Sequence, residues 1–415
     1  MRILIVTQYF WPESFRINDV ALGLRDRGHS VQVLTGMPNY PSGRLFEGYG
    51  WFAPQIEEFD GIPVVRAPLI TRGKSKNWRL ALNYLTFALS ASLLGPARCR
   101  EPFDAVLVYE PSPVTVGVPG LVMAAVKRAP IFFWIQDLWP ETVEAVGVPA
   151  GGVLARAARF LSDAIHNRCD VLLLQSRAYE TRLAARGVDL RRMEYLPNWA
   201  EDHFRPLDMV DNVADPMTGI DGFRIVFAGN IGSAQSFETI IDAATRLREN
   251  AEIKWIIVGD GNVRTWVEGQ IGKRGLQQTV TLLGWHPPTS MPAFFGHADA
   301  LLVTLRSDLI FSLTVPSKVQ TYLACGKPIL AALNGEGAVI LEQSGAGVVG
   351  PAEDGSALAE GALRLARMSA AERRSMGLAG RSYFEANFDR NRLLDRLESV
   401  IERLLTQRAH THTRR

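Results

Sequence analysis

Cysteine is scarce in this chain of 415 residues: Cys99, Cys169 and Cys325 stand far apart and form no C-x-x-C pair. That argues against both a disulfide framework and a structural zinc site, and fits a reducing cytoplasm. Net charge is also lacking. The 45 basic and 43 acidic residues leave +2, too small an excess for a general polyanion binder, so nucleic acid is not an expected partner. The opening MRILIVTQYFWPE has a short apolar run followed by acidic residues, without the apolar core and small-residue cleavage site of a secretory leader; export by that route is not expected. What remains is ordinary globular material. A hydrophobic fraction of 47% and a charged fraction of 21% can bury a core, and this length divides most simply into two large domains.

One further absence is local. From Gly61 to Arg100 there is no Asp or Glu, while Arg66, Arg72, Lys74, Lys76, Arg79, Arg98 and Arg100 are all basic. Between the basic clusters, residues 80–97 (LALNYLTFALSASLLGPA) are long and apolar enough to test as a membrane span. Asn83, Tyr84, Thr86, Ser90 and Ser92 dilute the run, and a spanning helix would cut an α/β domain in two. Two readings stay open: a helix drawn to an anionic membrane surface by its basic flanks, or a core helix with a solvated basic entry loop.

The N-terminal half alternates continuous apolar runs, suited to buried parallel strands, with helical segments. Strands are predicted at 2–7, 31–35, 64–66, 104–109, 131–135 and 171–174, and helices at 18–27, 77–95, 113–128, 151–168 and 176–187. His29, in Arg27-Gly28-His29, closes the first helix. The polar stretch 198–222 breaks the rhythm, which then resumes with strands at 223–229, 254–261, 280–285, 298–305 and 327–333, a helix from about Phe237, and two or three closing helices, the last around 391–405. Such alternation predicts an α/β protein of two doubly wound parallel sheets. The division is 1–200, a linker at 201–222, 223–388, and a C-terminal helix and tail at 389–415. Because open α/β sheets bind ligands outside the carboxyl ends of their strands, two such sheets predict a central cleft.

Two motifs fail on context. GAGVVG (345–350) matches G-x-G-x-x-G, but no strand precedes it and PAEDG after it does not open a helix; Gly73-Lys74-Ser75 resembles the end of a P-loop, but Pro68 stands where the first Gly should be. Three loops at strand ends are more informative. Gly229, Asn230, Ile231 and Gly232, with Gln235 before a helix, form a turn whose amides can approach a phosphate, unless it is a plain tight turn. Gly259-Asp260-Gly261 ends the next strand and would let a flat ligand come close. Pro316-Ser317-Lys318-Val319-Gln320 opens a helix with Pro in its first turn, a hydroxyl, free amides and a lysine, a combination suited to a diphosphate. Together these loops point to a nucleotide.

FAGNIG, VGDGN, LLGWHPPTSMPAFFGHADALL and VPSKVQTYLACGKPIL, in that order and spacing, resemble the donor domain of GT-B glycosyltransferases of family 4. In the first half, YFWPE, LRDRGHSVQVLTGMPNYPSGRLFEGY and QDLWPE resemble the WbuB/WcaI-like bacterial subgroup that builds O-antigen, capsule and colanic-acid-type polysaccharides. The resemblance covers essentially the whole chain. It implies two Rossmann-like domains facing a central cleft and a retaining, metal-independent transfer, without cofactor, from a nucleoside diphosphate sugar held by the second domain. UDP is favoured as the nucleotide, with GDP also found in that subgroup. The implied acceptor is a polyprenyl diphosphate-linked saccharide on the first domain, and the implied location is cytoplasmic, peripheral on the inner face of the cell membrane through residues 61–100. No Asp-x-Asp occurs in the sequence, so the carboxylate clamp of metal-dependent glycosyltransferases is missing and the diphosphate would be met by amides, a helix dipole and Lys318.

The departures from the family pattern are specific. Asn230 and Gln235 stand where many members have Arg and Lys, and Leu313 and Thr321 where many have a Glu-x7-Glu pair. Backbone groups of residues 311–314 would then replace the first Glu, or the donor is held differently. The wider family often has His in the motif read here as Ile135-Gln136-Asp137-Leu138-Trp139-Pro140-Glu141. Asp137 is therefore the candidate polar catalytic group, Gln136 if the alignment slips by one, and a helix cap or turn residue otherwise. Trp285 either packs the base or is an ordinary strand-end aromatic, and Asn39 and Tyr40 are placed on the acceptor side. Two other readings are kept: a GT-B sugar-nucleotide epimerase, and a two-domain sugar-binding protein without catalysis.

Overall fold

Burial on both faces explains why the strands read as unbroken apolar runs. In β1 (Arg2–Thr7) every residue after the first is buried, and β5 (Ala105–Glu110) and β6 (Ile131–Ile135) are buried throughout. The structure, a computed structural model, describes residues 1–50, 55–73, 77–145, 148–149, 151–207 and 214–413. They form two compact units, Met1–Pro197 with Leu394–Arg415, and Asn198–Leu393.

The first unit adds β2 (Ser30–Gly36), β3 (Ile56–Phe59), β4 (Ile62–Ala67), β7 (Val171–Leu174) and β8 (Met193–Tyr195) to make an eight-stranded sheet of order β3-β4-β2-β1-β5-β6-β7-β8. All pairs are parallel except β3 with β4. That edge hairpin, not anticipated above, turns at Asp60-Gly61 with φ of 46° and 80°, the positive pair of a type I′ turn. The helices are α1 (Arg16–Asp26), α2 (Asn77–Arg98), α3 (Gly117–Lys127), α4 (Glu141–Ala145), α5 (Val153–His166) and α6 (Ala178–Ala185).

Helix α2 is divided lengthwise. Asn83, Phe87, Ala88 and Ala91 are buried, while Leu85, Leu89 and Leu93 are exposed at successive intervals of four residues. Trp78–Arg98 is long and apolar enough to cross a membrane by length and composition, while its inner face packs into the unit. Two of its flanking cations are consumed by the fold. Arg66, fully buried, donates to the Glu57 carboxylate at 2.6 Å, to the Gly36 carbonyl at 3.1 Å and to the Trp11 carbonyl; Arg98 donates to the Arg66 carbonyl at 2.9 Å. A buried arginine is retained only when paired, so Arg66 is held inside the fold, while Arg98 stays partly exposed. Lys74 and Lys76, with Ser75 of the P-loop-like triplet, lie outside the described residues.

The second unit is a six-stranded parallel sheet of β9 (Phe223–Ala228), β10 (Ile253–Val258), β11 (Val280–Gly284), β12 (Ala300–Thr304), β13 (Ile329–Ala332) and β14 (Gly347–Gly350), ordered β11-β10-β9-β12-β13-β14. Its helices include α7 (Phe237–Arg246), α8 (Arg264–Arg274), α9 (Met291–Gly296), α10 (Leu309–Leu313) and α11 (Ser317–Ala324). They continue with α12 (Glu336–Ser344), α13 (Gly355–Arg367) and α14 (Ala370–Asn387). The GAGVVG motif contributes strand β14 itself.

Two expected boundaries differ. The segment 201–222 is not a free linker: Met217 is buried in the core of the second unit, Phe204 packs on Phe295 at 5.9 Å, and Asp215 pairs with Arg224 at 2.7 Å. Residues 208–213 lie outside the described residues. The last helix, α15 (Arg390–Thr413), outruns the expected 391–405 and is not a separate tail. From Leu394 onward it joins the first unit, burying Leu394, Leu397 and Ile401. Asp395 pairs with Arg27 at 3.1 Å and Glu398 with His29 at 2.6 Å, so His29 anchors this helix besides following α1.

Candidate active-site groups

In the second unit the strand order turns back between β9 and β12, the switch point at which open α/β sheets bind ligands. A cavity of about 590 Å³ opens there at the carboxyl ends of the strands. Of the twelve donor-side residues named from sequence, Gly229, Asn230, Gly259, Trp285, Ser317 and Lys318 line it.

The other six do not, each for a physical reason. Ile231 is buried, and its amide already donates to the Asp260 carbonyl at 2.8 Å. Gly232 precedes a short 3-10 turn, Ser233–Gln235, and Gly261 lies against the Ile231 carbonyl, which a Cβ there would meet at 2.3 Å. Pro316 caps α11 in an extended conformation instead of entering its first turn. Gln320, 1% exposed, is turned into the core. Gln235 acts one step back, its Oε1 accepting from Lys318 Nζ at 2.5 Å. The glycines therefore serve loop-on-loop packing as much as ligand approach. Gly259 has φ 144°, and a Cβ there would lie 1.9 Å from the Gly229 carbonyl oxygen.

Lys318 dominates the electrostatics. Its ammonium lies 3.9 Å from the centroid of the Phe227 ring and close beneath Gly229, and no carboxylate pairs with it among the described residues. Burial pushes its pKa down to about 7, because a desolvated ammonium with no counter-charge is disfavoured. The amides of Ser317 and Lys318 open α11 at the positive end of its helix dipole, while the Val319 amide already donates to the Pro316 carbonyl at 2.9 Å. The cavity thus offers one lysine and the N-terminus of α11, with Trp285, 68% exposed, at its margin. Thr321, at the place of the second Glu of the family pair, lines the cavity; Leu313, at the first, is buried. Residues 311–314 are largely taken up by α10, where the Ser312 amide donates to Asp308 at 3.1 Å. An anion of diphosphate type is the ligand such donors complement.

The first unit has its own switch point, between β1 and β5. Asp137 sits in the turn after β6, half-buried; burial pushes its pKa up to about 6, against a hydrogen bond with Ser112, whose hydroxyl also accepts from Trp139 Nε1 at 3.0 Å. Beside it, Glu110 ends β5 in full burial. Burial and then the Asp137 carboxylate hold Glu110 well above the usual range, with the Asp137 and Gln136 amides pulling the other way. Gln136, the alternative to Asp137, is buried, its carbonyl accepting from Tyr179 Oη at 2.9 Å.

Asn39 is not an acceptor contact. It is fully buried, with its Nδ2 donating to the Met37 carbonyl at 2.9 Å and its Oδ1 accepting from the Arg72 amide at 3.3 Å and from Asn83 Nδ2 at 3.4 Å. Tyr40 is partly exposed, with the Arg72 guanidinium 5.0 Å from its ring centroid. Both are placed by Glu13, which sequence reasoning missed: one carboxylate oxygen accepts from the Asn39 and Tyr40 amides, each at 2.7 Å. Burial pushes Glu13 up to about 7, against those amides and Arg66. The signal was the Glu of YFWPE, but only folding shows it buried.

Residues 14–199 match the family described as the glycosyl transferase 4-like domain, and residues 222–368 the family described as glycosyl transferases group 1. The chain is 27% identical over 340 residues to WcaI of Escherichia coli (strain K12), a protein named for glycosyl transfer in colanic acid biosynthesis, with 79% of this chain and 82% of that one covered. It is 28% identical over 287 residues to WbjE of Pseudomonas aeruginosa, named as a glycosyltransferase, covering 66% and 70%. Among solved structures it is similar to HepE of Anabaena in complex with UDP, with a TM-score of 0.70 and 15% identity, covering 97% of this chain and 100% of that one. At that identity the likeness shows the fold alone.

Proposed function

The chain belongs to the group 1, 4-like glycosyltransferases of GT-B fold, and from that premise we propose a retaining, metal-independent transfer from a nucleoside diphosphate sugar to a lipid-linked saccharide in surface-polysaccharide synthesis. The observation that carries this reading is Lys318, an unpaired cation beneath Gly229 at the mouth of α11. Such a group stabilises the negative charge that grows on a departing diphosphate more than it stabilises the bound donor, which is the condition for acceleration. The leaving phosphate oxygen, on the face from which the acceptor hydroxyl approaches, helps to take its proton, so no strong protein base is required. The names of WcaI and WbjE support the polysaccharide setting, and the UDP held by HepE supports UDP as the nucleotide.

Incubation with UDP-, GDP- and dTDP-sugars and a lipid-linked acceptor tests the reading. Nucleoside diphosphate released only when acceptor is present, with the anomeric configuration kept in the product, is the expected result. An altered sugar without acceptor would mean epimerisation, and binding without turnover would mean a sugar-binding protein; either outcome rejects transfer.

In this scheme Asp137 orients the acceptor hydroxyl and accepts part of its proton as the carboxylate. Its pKa is raised to about 6, so the active form is lost as pH falls through about 6, where an ordinary Asp would persist to about 4. Asp137→Asn should lower kcat by about 10²-fold, the lower end for such groups, and remove that acid limb. A variant whose pH profile keeps the limb would show that another group titrates.

The proposed location is the inner membrane face, reached through the 61–100 segment less the buried Arg66. The lipid-linked nature of the acceptor is part of the same proposal.

A further inference from the structure

The strap after β4, residues 68–73, is held by one face of α2. Ser90 Oγ donates to the Pro68 carbonyl at 2.5 Å, Thr86 Oγ1 accepts from the Ile70 amide at 3.0 Å, and Asn83 Nδ2 donates to the Ile70 carbonyl at 2.7 Å. On its other side the strap meets the loop after β2: the Gly73 amide donates to the Gly43 carbonyl at 3.1 Å. The approach is close enough that a Cβ at Gly43 would lie 2.2 Å from the Gly73 carbonyl oxygen.

Two hollows flank this strap and share Leu69 and Ile70. One, of about 610 Å³, is completed by Arg44, Thr71 and Arg79 and has no carboxylate among the described residues that line it. Neither arginine has an ion-pair partner among the described residues. The other, of about 410 Å³, runs between the strap and α2 along Leu89, Leu93 and Leu94 and is almost wholly apolar. Both are of the size that holds small molecules. Leu85, Leu89 and Leu93 stay exposed beside the second, and Trp78 stands next to Arg79, whose guanidinium is 5.7 Å from its ring centroid. Paired aromatic and basic side chains of this kind are typical of protein that meets a bilayer interface.

We infer that the two hollows form one slot for a single phosphorylated long-chain lipid, with its phosphate or diphosphate on Arg44 and Arg79 and the start of its hydrocarbon chain between the strap and α2. The charge selects the head: two guanidiniums without an ion-pair partner among the described residues, Arg79 from the acid-free stretch and Arg44 from the loop after β2, complement a phosphate, which arginine binds by paired hydrogen bonds. The groove selects the tail, since burying hydrocarbon there also removes the exposed leucines from water. A bilayer surface alone would satisfy the arginines but leave the recessed groove unfilled. The inference rests on reading the first unit as the acceptor half, and it adds which side chains would grip the lipid anchor.

The test uses the full chain with geranylgeranyl diphosphate, inorganic pyrophosphate and geranylgeraniol as probes, followed by calorimetry. The diphosphate lipid is expected to bind at least about tenfold more tightly than either fragment, since head and tail act as linked contacts. Arg44→Gln with Arg79→Gln should cost it about tenfold or more while leaving geranylgeraniol unchanged, and Leu89→Gln should weaken both lipids but not pyrophosphate. Thermal stabilisation by UDP, read on the same variants, checks that each is folded. Equal binding of the lipid and pyrophosphate, wild-type affinity in the arginine pair, or full competition by phosphatidylglycerol vesicles would each overturn the slot. Such an outcome with transfer to a lipid-linked acceptor intact leaves the proposed function standing. Slot binding intact with no transfer by the wild-type protein overturns the function and leaves the slot.

Discussion

Lys318→Ala is expected to reduce kcat by about two to three orders of magnitude, the usual cost of removing one donor aimed at developing oxyanion charge. The expectation is large because nothing nearby can substitute: the neighbouring polar contact is the neutral Gln235, and the positions at which many family members carry Arg and Lys are Asn230 and Gln235. The unusual titration gives a second signature. With its pKa lowered to about 7, free Lys318 is charged below that pH and mostly neutral above it. A bound diphosphate favours the charged form and raises the value, so binding at pH 8 should take up close to one proton, roughly nine in ten molecules being neutral beforehand. Donor affinity should correspondingly fall as pH rises above about 7 and level off below it. Calorimetry in buffers of differing ionisation heat reads the uptake, which Lys318→Ala should abolish. Full turnover in that variant, or no uptake in the wild type at pH 8, would remove Lys318 from its assigned place.

Gly259→Ala should eliminate donor binding and lower the unfolding temperature of the second unit. Two penalties add. At φ 144° an L-residue is strained, and its Cβ would stand 1.9 Å from the Gly229 carbonyl oxygen, a backbone atom that cannot swing aside. Together they place the cost at the high end for point changes, about 4 kcal/mol or more. Gly284→Ala is the matched control: φ is 76°, but the nearest atom is Arg264 Nη1 at 3.6 Å, so the strain alone should cost about 1 kcal/mol. UDP titration and thermal unfolding of both variants separate the effects. Wild-type UDP affinity in Gly259→Ala would mean that the paired loops are not needed for the site.

What could be read from the sequence followed from local pattern. The central strands were legible because burial on both faces demands continuous apolar runs, and β6 and β7 match their predicted limits of 131–135 and 171–174. Strand β3, with the sequence IEEF, was not, because an edge strand may keep charges on its open side; its one local signal was the Asp60-Gly61 pair. Residues 201–222 read as a linker because polar and proline content hides its anchors, Phe204 and Met217. The phosphate-type loops were legible from glycine at strand ends, yet glycine does not say whether the close neighbour is a ligand or another loop, hence the different fates of Gly259 and Gly261. Glu13 and Glu110 were illegible as buried carboxylates. Their environment is made by chain 26 residues away in sequence for Glu13, whose partner is Asn39, and by the turn at 136–137 for Glu110.

The return of α15 has a consequence for how the protein is made. The amino group of Met1 contacts His29 Nδ1 at 3.2 Å, and His29 Nε2 in turn contacts Glu398 at 2.6 Å. One imidazole thus links the start of the chain to its last helix. During synthesis the first unit emerges early but lacks Leu394, Leu397 and Ile401 until the whole second unit has left the ribosome, so the apolar surface they cover stays open throughout that interval. The half of the protein translated first is the half completed last, and a chain stopped before Leu394 would leave that surface exposed to aggregation or to a chaperone.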